Sequence, residues 1–224
     1  GASTKNKLRF MHPYDSWSEK IISDTVLPDT TWTHIALVRY GNTITMYQAG
    51  TSVGSVDCTG WTVNSSGTGC VIAGYCTDES LYFFNGWIDE LRISKGIARW
   101  TSNFTPPTEE YSSISYVDPG GIDSYVVSCL HFQNHAWSFY GGAYIDSSNP
   151  KFGYASAYFN GTNSYISAPS YRTPDFGYRD FTVDFWVCFK TVATSGLIST
   201  GGTSGGLYIK YESSKLYANA VSSD

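Results

Sequence analysis

The run from Phe84 to Pro107, FNGWIDELRISKGIARWTSNFTPP, constrains the fold more than any other stretch of the chain. Its centre, Trp87-Ile88-Asp89-Glu90-Leu91-Arg92-Ile93, alternates large apolar residues with charged ones. That is the period-two signature of a half-buried strand. Read this way, Trp87, Leu91 and Ile93 share one face, and Ile88, Glu90 and Arg92 share the other. Asn85-Gly86 ahead of it is a turn dipeptide, because glycine accepts positive φ at little cost. After the strand, Lys95 to Trp100 reads as a short turn or a single helical turn. Pro106-Pro107 ends the element by removing two backbone donors.

No stretch of the 224 residues sustains a helical period, and the chain carries 18 Tyr, 12 Phe, 7 Trp and 22 Gly. Aromatic residues pack well on a pleated surface and glycine permits tight turns, so the expected class is all-β. Strands are expected at Lys7–Phe10, Glu19–Asp24, Thr31–Tyr40, Thr43–Gln48, Val71–Tyr75, Tyr125–Phe132, Asp180–Val187, Gly205–Ile209 and Lys215–Ala218. Gly41-Asn42 joins the third and fourth as a hairpin. Gly50 and Gly54 flank a further short turn. Trp32, His34, Ala36 and Val38 fall on one side of their strand, and Trp32, Trp87 and Trp186 are expected in the core. The Ser-, Gly- and Tyr-rich stretch 111–123 is the linker between 4–110 and 124–224.

A net charge of −5 without any Lys/Arg cluster argues against nucleic-acid binding, which needs a basic footprint. No apolar run reaches the roughly 20 residues of a membrane-spanning helix, so membrane insertion is not expected. Five cysteines, Cys58, Cys70, Cys76, Cys129 and Cys188, show neither an even count nor a metal-finger spacing. They are expected to be reduced, with a Cys58–Cys70 or Cys70–Cys76 bridge as the alternative.

The run GWIDELRISKGIARWTSNFTPPT resembles the C-terminal signature of laminin-G-like modules in the concanavalin A-like superfamily, of the type found in phage tail fibres and bacterial surface proteins. The Thr31–Tyr40 and Thr43–Gln48 hairpin resembles the same family. So do three later stretches: Tyr125–Phe132, Lys151–Gly161 (KFGYASAYFNG) and Asp180–Val187 (DFTVDFWV). The resemblance implies a two-sheet antiparallel jelly-roll sandwich. Residues 124–224 are similar to the N-terminal half of a module and 4–110 to its C-terminal half. A single circularly permuted sandwich is therefore expected, with strand-swapped dimerisation as the alternative.

The same fold hosts glucanases, which need two carboxylates across a glycosidic bond. Here the strand around Asp184 has one carboxylate, and the adjacent Asp89 and Glu90 would point to opposite faces. Pairing with Arg92 or capping a turn is their expected role. His12, His34, His131 and His135 are scattered, with no triad or HExxH context. No catalytic residue is assigned and no enzyme is expected. The resemblance also implies a rim loop where related sandwiches hold Ca²⁺. Asp78 and Glu79 occupy it as candidate metal contacts, against the reading of a solvated acidic turn. Sugars stack on aromatics and need a few placed polar groups, so the candidate ligand residues are Tyr14, Trp17, Trp137, Tyr171 and Arg172. The expected function is a noncatalytic carbohydrate-binding or adhesion module of a fibre or surface protein, outside the cell or on a virion. Its partners would be a host-surface glycan or glycoprotein and neighbouring modules. The rival is a structural spacer without a sugar ligand.

Overall fold

Alternation of the kind seen at Trp87 to Ile93 recurs along the chain, and it builds fifteen strands and no helix among the described residues. The computed structural model describes residues 7–12, 18–63, 69–74, 82–111, 126–130 (backbone), 137–168, 175–200 and 206–212. The strands are β1 Lys7–His12, β2 Ser18–Ile22, β3 Thr33–Tyr40, β4 Thr43–Gln48, β5 Thr51–Asp57, β6 Cys70–Ile72, β7 Asn85–Lys95 and β8 Val126–Leu130. They continue as β9 Ser138–Tyr140, β10 Tyr144–Asp146, β11 Ser156–Asn160, β12 Tyr165–Ala168, β13 Phe181–Phe189, β14 Ser195–Thr200 and β15 Leu207–Glu212.

Two antiparallel sheets result. One runs β2-β1-β15-β14-β6-β12-β9 and the other β10-β11-β7-β13-β3-β4-β5, with β8 also pairing β7. Side chains from both inner faces form one core, including Phe10, Ile72 and Ile209 from the first sheet and Leu37, Ile88 and Phe185 from the second. This is the two-sheet jelly-roll sandwich that the resemblance implies, built from the all-β class that alternation predicts. Each sheet mixes strands from 4–110 and 124–224. β1 pairs with β15, and β7 lies between β11 and β13.

The central strand departs from simple alternation. Arg92 faces Asp184 and Asp89 faces Trp186, so Glu90 and Leu91 together oppose the single residue Phe185. This is a one-residue β-bulge, and Glu90 takes a left-handed φ of 51° to make it. Past the bulge the faces exchange parity. Ile88, Leu91 and Ile93 all reach the core, whereas Trp87 points outward. The expected placement in the core is therefore corrected for Trp32 and Trp87, whereas Trp186 is buried as expected, at 8% exposure. Trp32 and Trp87 are half-buried and Trp186 packs on the outer face of its sheet.

Other expectations shift in extent. Thr51–Asp57 is a seven-residue edge strand and not a short turn. The turn is Ala49-Gly50, with φ of 49° and 76°, the positive pair that a two-residue hairpin requires. Residues 96–100 form bends with no helical turn. Cys58, Cys70 and Cys188 are buried free thiols, which removes the Cys58–Cys70 bridge. Cys76, the side chain of Cys129 and the strand expected at Lys215–Ala218 lie outside the described residues.

A segment following β7 straps the outer face of the larger sheet. Trp100 and Phe104 stack at 3.9 Å and cover Ala36, Val38 and Tyr47. Backbone bonds from Gly96 to Asp180 and from Phe104 to Gly50 hold the strap, and Arg99 donates its amide to the Thr182 hydroxyl.

Candidate functional site

Under the strap, four polar side chains meet on the outer face of β3, β7 and β13. Asp184 is fully buried and accepts two bonds from Arg92, at 3.1 Å each. His34 Nε2 lies 3.4 Å from the same carboxylate, and the Tyr111 hydroxyl donates to it. Burial alone would raise the Asp184 carboxyl. The His34 hydrogen bond and the Arg92 charge outweigh that and hold it below the usual carboxylate range. Burial and the Asp184 charge push the Tyr111 phenol up. Tyr111 also donates its amide to Glu90 Oε2 at 2.6 Å. Arg92 stacks 3.8 Å over the Tyr111 ring and forms an ion pair with Asp184.

Asp89 is buried too, because the bulge holds both neighbouring carboxyls out of water. Its oxygens accept backbone N–H groups from Glu90 at 2.9 Å, Lys151 at 2.9 Å and Phe152 at 3.3 Å. Burial pushes this carboxyl up to about 7, against the pull of those three donors. Both aspartates are therefore committed to structure: one ties down the strap, the other the loop after β10.

Among the described residues, the strap's contacts on this face lie over β3, β4 and β13, beside the β10-β11 end of β7. There Tyr144, Tyr158 and Trp87 are cross-strand partners in one row. Their neighbours Ile145, Ala157 and Ile88 face the core, so all three rings face outward. Tyr144 is 50% exposed; Tyr158 and Trp87 are half-buried. Ring centroids are 5.0 Å apart from Tyr144 to Tyr158 and 5.4 Å from Tyr158 to Trp87. Asp146 fixes the row's inner end by accepting the indole N–H of Trp87 at 2.8 Å. The Ser148 hydroxyl first, and the indole after it, hold that carboxyl below its ordinary range. The Lys190 ammonium lies 5.2 Å from the Tyr158 ring and 3.4 Å from its hydroxyl. Aromatic faces flanked by a fixed carboxylate and an ammonium can stack on the apolar side of a sugar and bond its hydroxyls.

The residues expected to bind ligand fare differently. Trp137 is 7% exposed and belongs to the core, because it plugs the sheet end just ahead of β9. It offers no ring face to a ligand, and that expectation is corrected. Tyr14, Trp17, Tyr171 and Arg172 lie outside the described residues, as do Asp78 and Glu79. Among the described residues no three His, Cys, Asp or Glu side chains gather as metal ligands. The sequence reading missed Tyr144 and Tyr158. The signal was the alternation Ala157-Tyr158-Phe159, which sends the tyrosine away from its buried neighbours. At the opposite edge of the larger sheet, an open groove of about 470 Å³ is lined by Asp24, Thr25, Gln48 and Thr51–Gly54.

Comparison with known families agrees with this architecture. Residues 1–99 match the laminin G family model described as the concanavalin A-like lectin/glucanases superfamily. This stretch belongs to the concanavalin A-like superfamily. The matched residues include β7 and the β3–β4 hairpin, the elements that carried the resemblance. Neither a curated protein nor a solved structure matches the chain. A concanavalin A-like sandwich supports a lectin-like or adhesion module in general. Among the described residues, no helix is long and apolar enough to cross a membrane.

Proposed function

We propose that the protein is a noncatalytic carbohydrate-binding module that attaches a larger fibre or surface protein to host-surface glycans or glycoproteins outside the cell. The observation that carries this reading is the row Tyr144–Tyr158–Trp87, on the larger sheet's outer face beside the strap's contacts. Weak individual sites suit such a role, since repetition along a fibre turns modest affinity into avidity. The commitment of Asp89 and Asp184 to backbone and strap supports a module without hydrolytic activity.

The test is binding of the purified chain to a panel of soluble glycans, read by tryptophan fluorescence and calorimetry. Calcium and chelator form parallel arms, because Asp78 and Glu79 remain proposed as a calcium contact. Binding by the wild type and a loss of roughly tenfold or more in Tyr158→Ala are expected, with unchanged melting. A wild type that binds no glycan would instead favour the spacer reading.

A further inference from the structure

One inward position of the larger sheet is polar. On β4, Ile44 and Met46 point into the core, and the period of two sends Gln48 the same way. Gln48 is the last residue of the strand, so its amide reaches the rim of the core, where it is 9% exposed. Nε2 donates to the Val26 carbonyl at 3.2 Å. A carbonyl can only accept, so this bond fixes which way the amide faces and leaves Oε1 on the other side. Oε1 is buried and has no hydrogen-bond donor. A buried acceptor without a donor costs stability, so its retention calls for an explanation.

Gln48 lines the open groove of about 470 Å³ at the β5 edge, across the sheet from the aromatic row. The other polar groups there are the Asp24 carboxylate and the hydroxyls of Thr25, Thr51 and Ser52, all on exposed residues. Among the described residues that line it, none is a lysine, arginine or histidine. Close packing fixes the shape where β5 meets β2: at Gly54 a Cβ would lie 2.6 Å from the Ile21 side chain. An anion would meet a carboxylate and an amide oxygen here. A calcium ion takes about 6–8 oxygens, and a single carboxylate supplies little of the charge it needs. A primary ammonium suits the lining better, because it carries three donors and no acceptor in a compact head. Asp24 already faces one such group, since the Lys7 ammonium lies 3.7 Å from its carboxylate, beyond hydrogen-bond length.

We propose that this groove binds a primary ammonium group, held by Gln48 Oε1 and the Asp24 carboxylate. The site is separate from the aromatic row and does not depend on the glycan-binding reading.

The experiment titrates the whole chain with three ammonium probes: Nα-acetyl-lysine methylamide, glycine methylamide and 1,5-diaminopentane. Calorimetry and amide NMR shifts read binding at matched ionic strength, and the probe that binds tells a side-chain amine from an α-amine or a diamine. Nε-acetylated lysine and Nα-acetyl-arginine methylamide are the controls. At least one ammonium probe should bind with a roughly millimolar Kd and shift the amides of residues 48–54, while both controls bind at least tenfold more weakly. Gln48→Met keeps the length of the side chain without its acceptor and should weaken binding roughly tenfold. Gln48→Glu places a negative charge on the same atoms and should tighten it. Asp24→Asn, on an exposed residue, should lower affinity severalfold with unchanged melting. No shift in the wild type by roughly 50 mM probe would overturn the proposal. So would equal binding of either control, or wild-type affinity in both Gln48→Met and Asp24→Asn.

Discussion

Asp89 shows how one carboxyl can be both well bonded and costly. It receives three backbone N–H groups, yet burial raises it from 3.8 to about 7. The folded state therefore keeps a proton that the unfolded chain releases near 3.8. Between those values the native state binds more protons, so stability must fall as pH rises. The contribution of Asp89 is complete below about 3.8 and gone above about 7. The slope expected from this group is at most ~1.4 kcal/mol per pH unit. Urea unfolding from pH 4 to 8 measures it, and Asp89→Asn should remove this part of the slope. An identical slope in the variant would refute the assignment. Asp184 behaves oppositely, because Arg92 and His34 supply charge and hydrogen bonds that backbone amides alone do not match.

At the level of elements, the bulge in β7 and the strap shape the outer face of the larger sheet. The spacing Ile88, Leu91, Ile93 contained the clue, since two polar residues in succession interrupt strict alternation. Propensity does not reveal whether a strand absorbs such a pair by burying it or by bulging. The answer depends on the partner strand, here Phe185 opposite two residues. The strap depends in turn on the β4–β5 turn. At Gly50 a Cβ would sit 2.0 Å from the Phe104 carbonyl oxygen, on backbone already at a φ of 76°. Gly50→Ala should cost roughly 2–4 kcal/mol in chemical unfolding and speed hydrogen exchange at the Phe104 amide. Unchanged stability would mean the strap does not rest on this turn.

For the whole molecule, interleaving has consequences for assembly. β15 pairs with β1 on one side and β14 on the other, and β13 with β3 and β7, all within one chain. A second copy need not donate any of these strands. Light scattering should give the mass of a single 24.7 kDa chain. Heat unfolding should follow one transition whether read by tryptophan fluorescence or far-ultraviolet dichroism, as both stretches share one core. A dimer, or two separated transitions, would show that the two stretches complete each other between chains.

Local pattern was enough to specify the class of this protein. Alternation, aromatic content and the Gly41-Asn42 turn are short-range features, and they name strands and hairpins from residues a few positions apart. Only the tertiary structure placed Trp87 and Tyr158 side by side, because they stand 71 positions apart and a bulge turned the tryptophan outward. It likewise sent Trp137 inward and brought His34, Arg92, Tyr111 and Asp184 together. The physical reason is common to all three. A strand's period says that neighbouring side chains point apart, but which face meets water is settled by what packs against it.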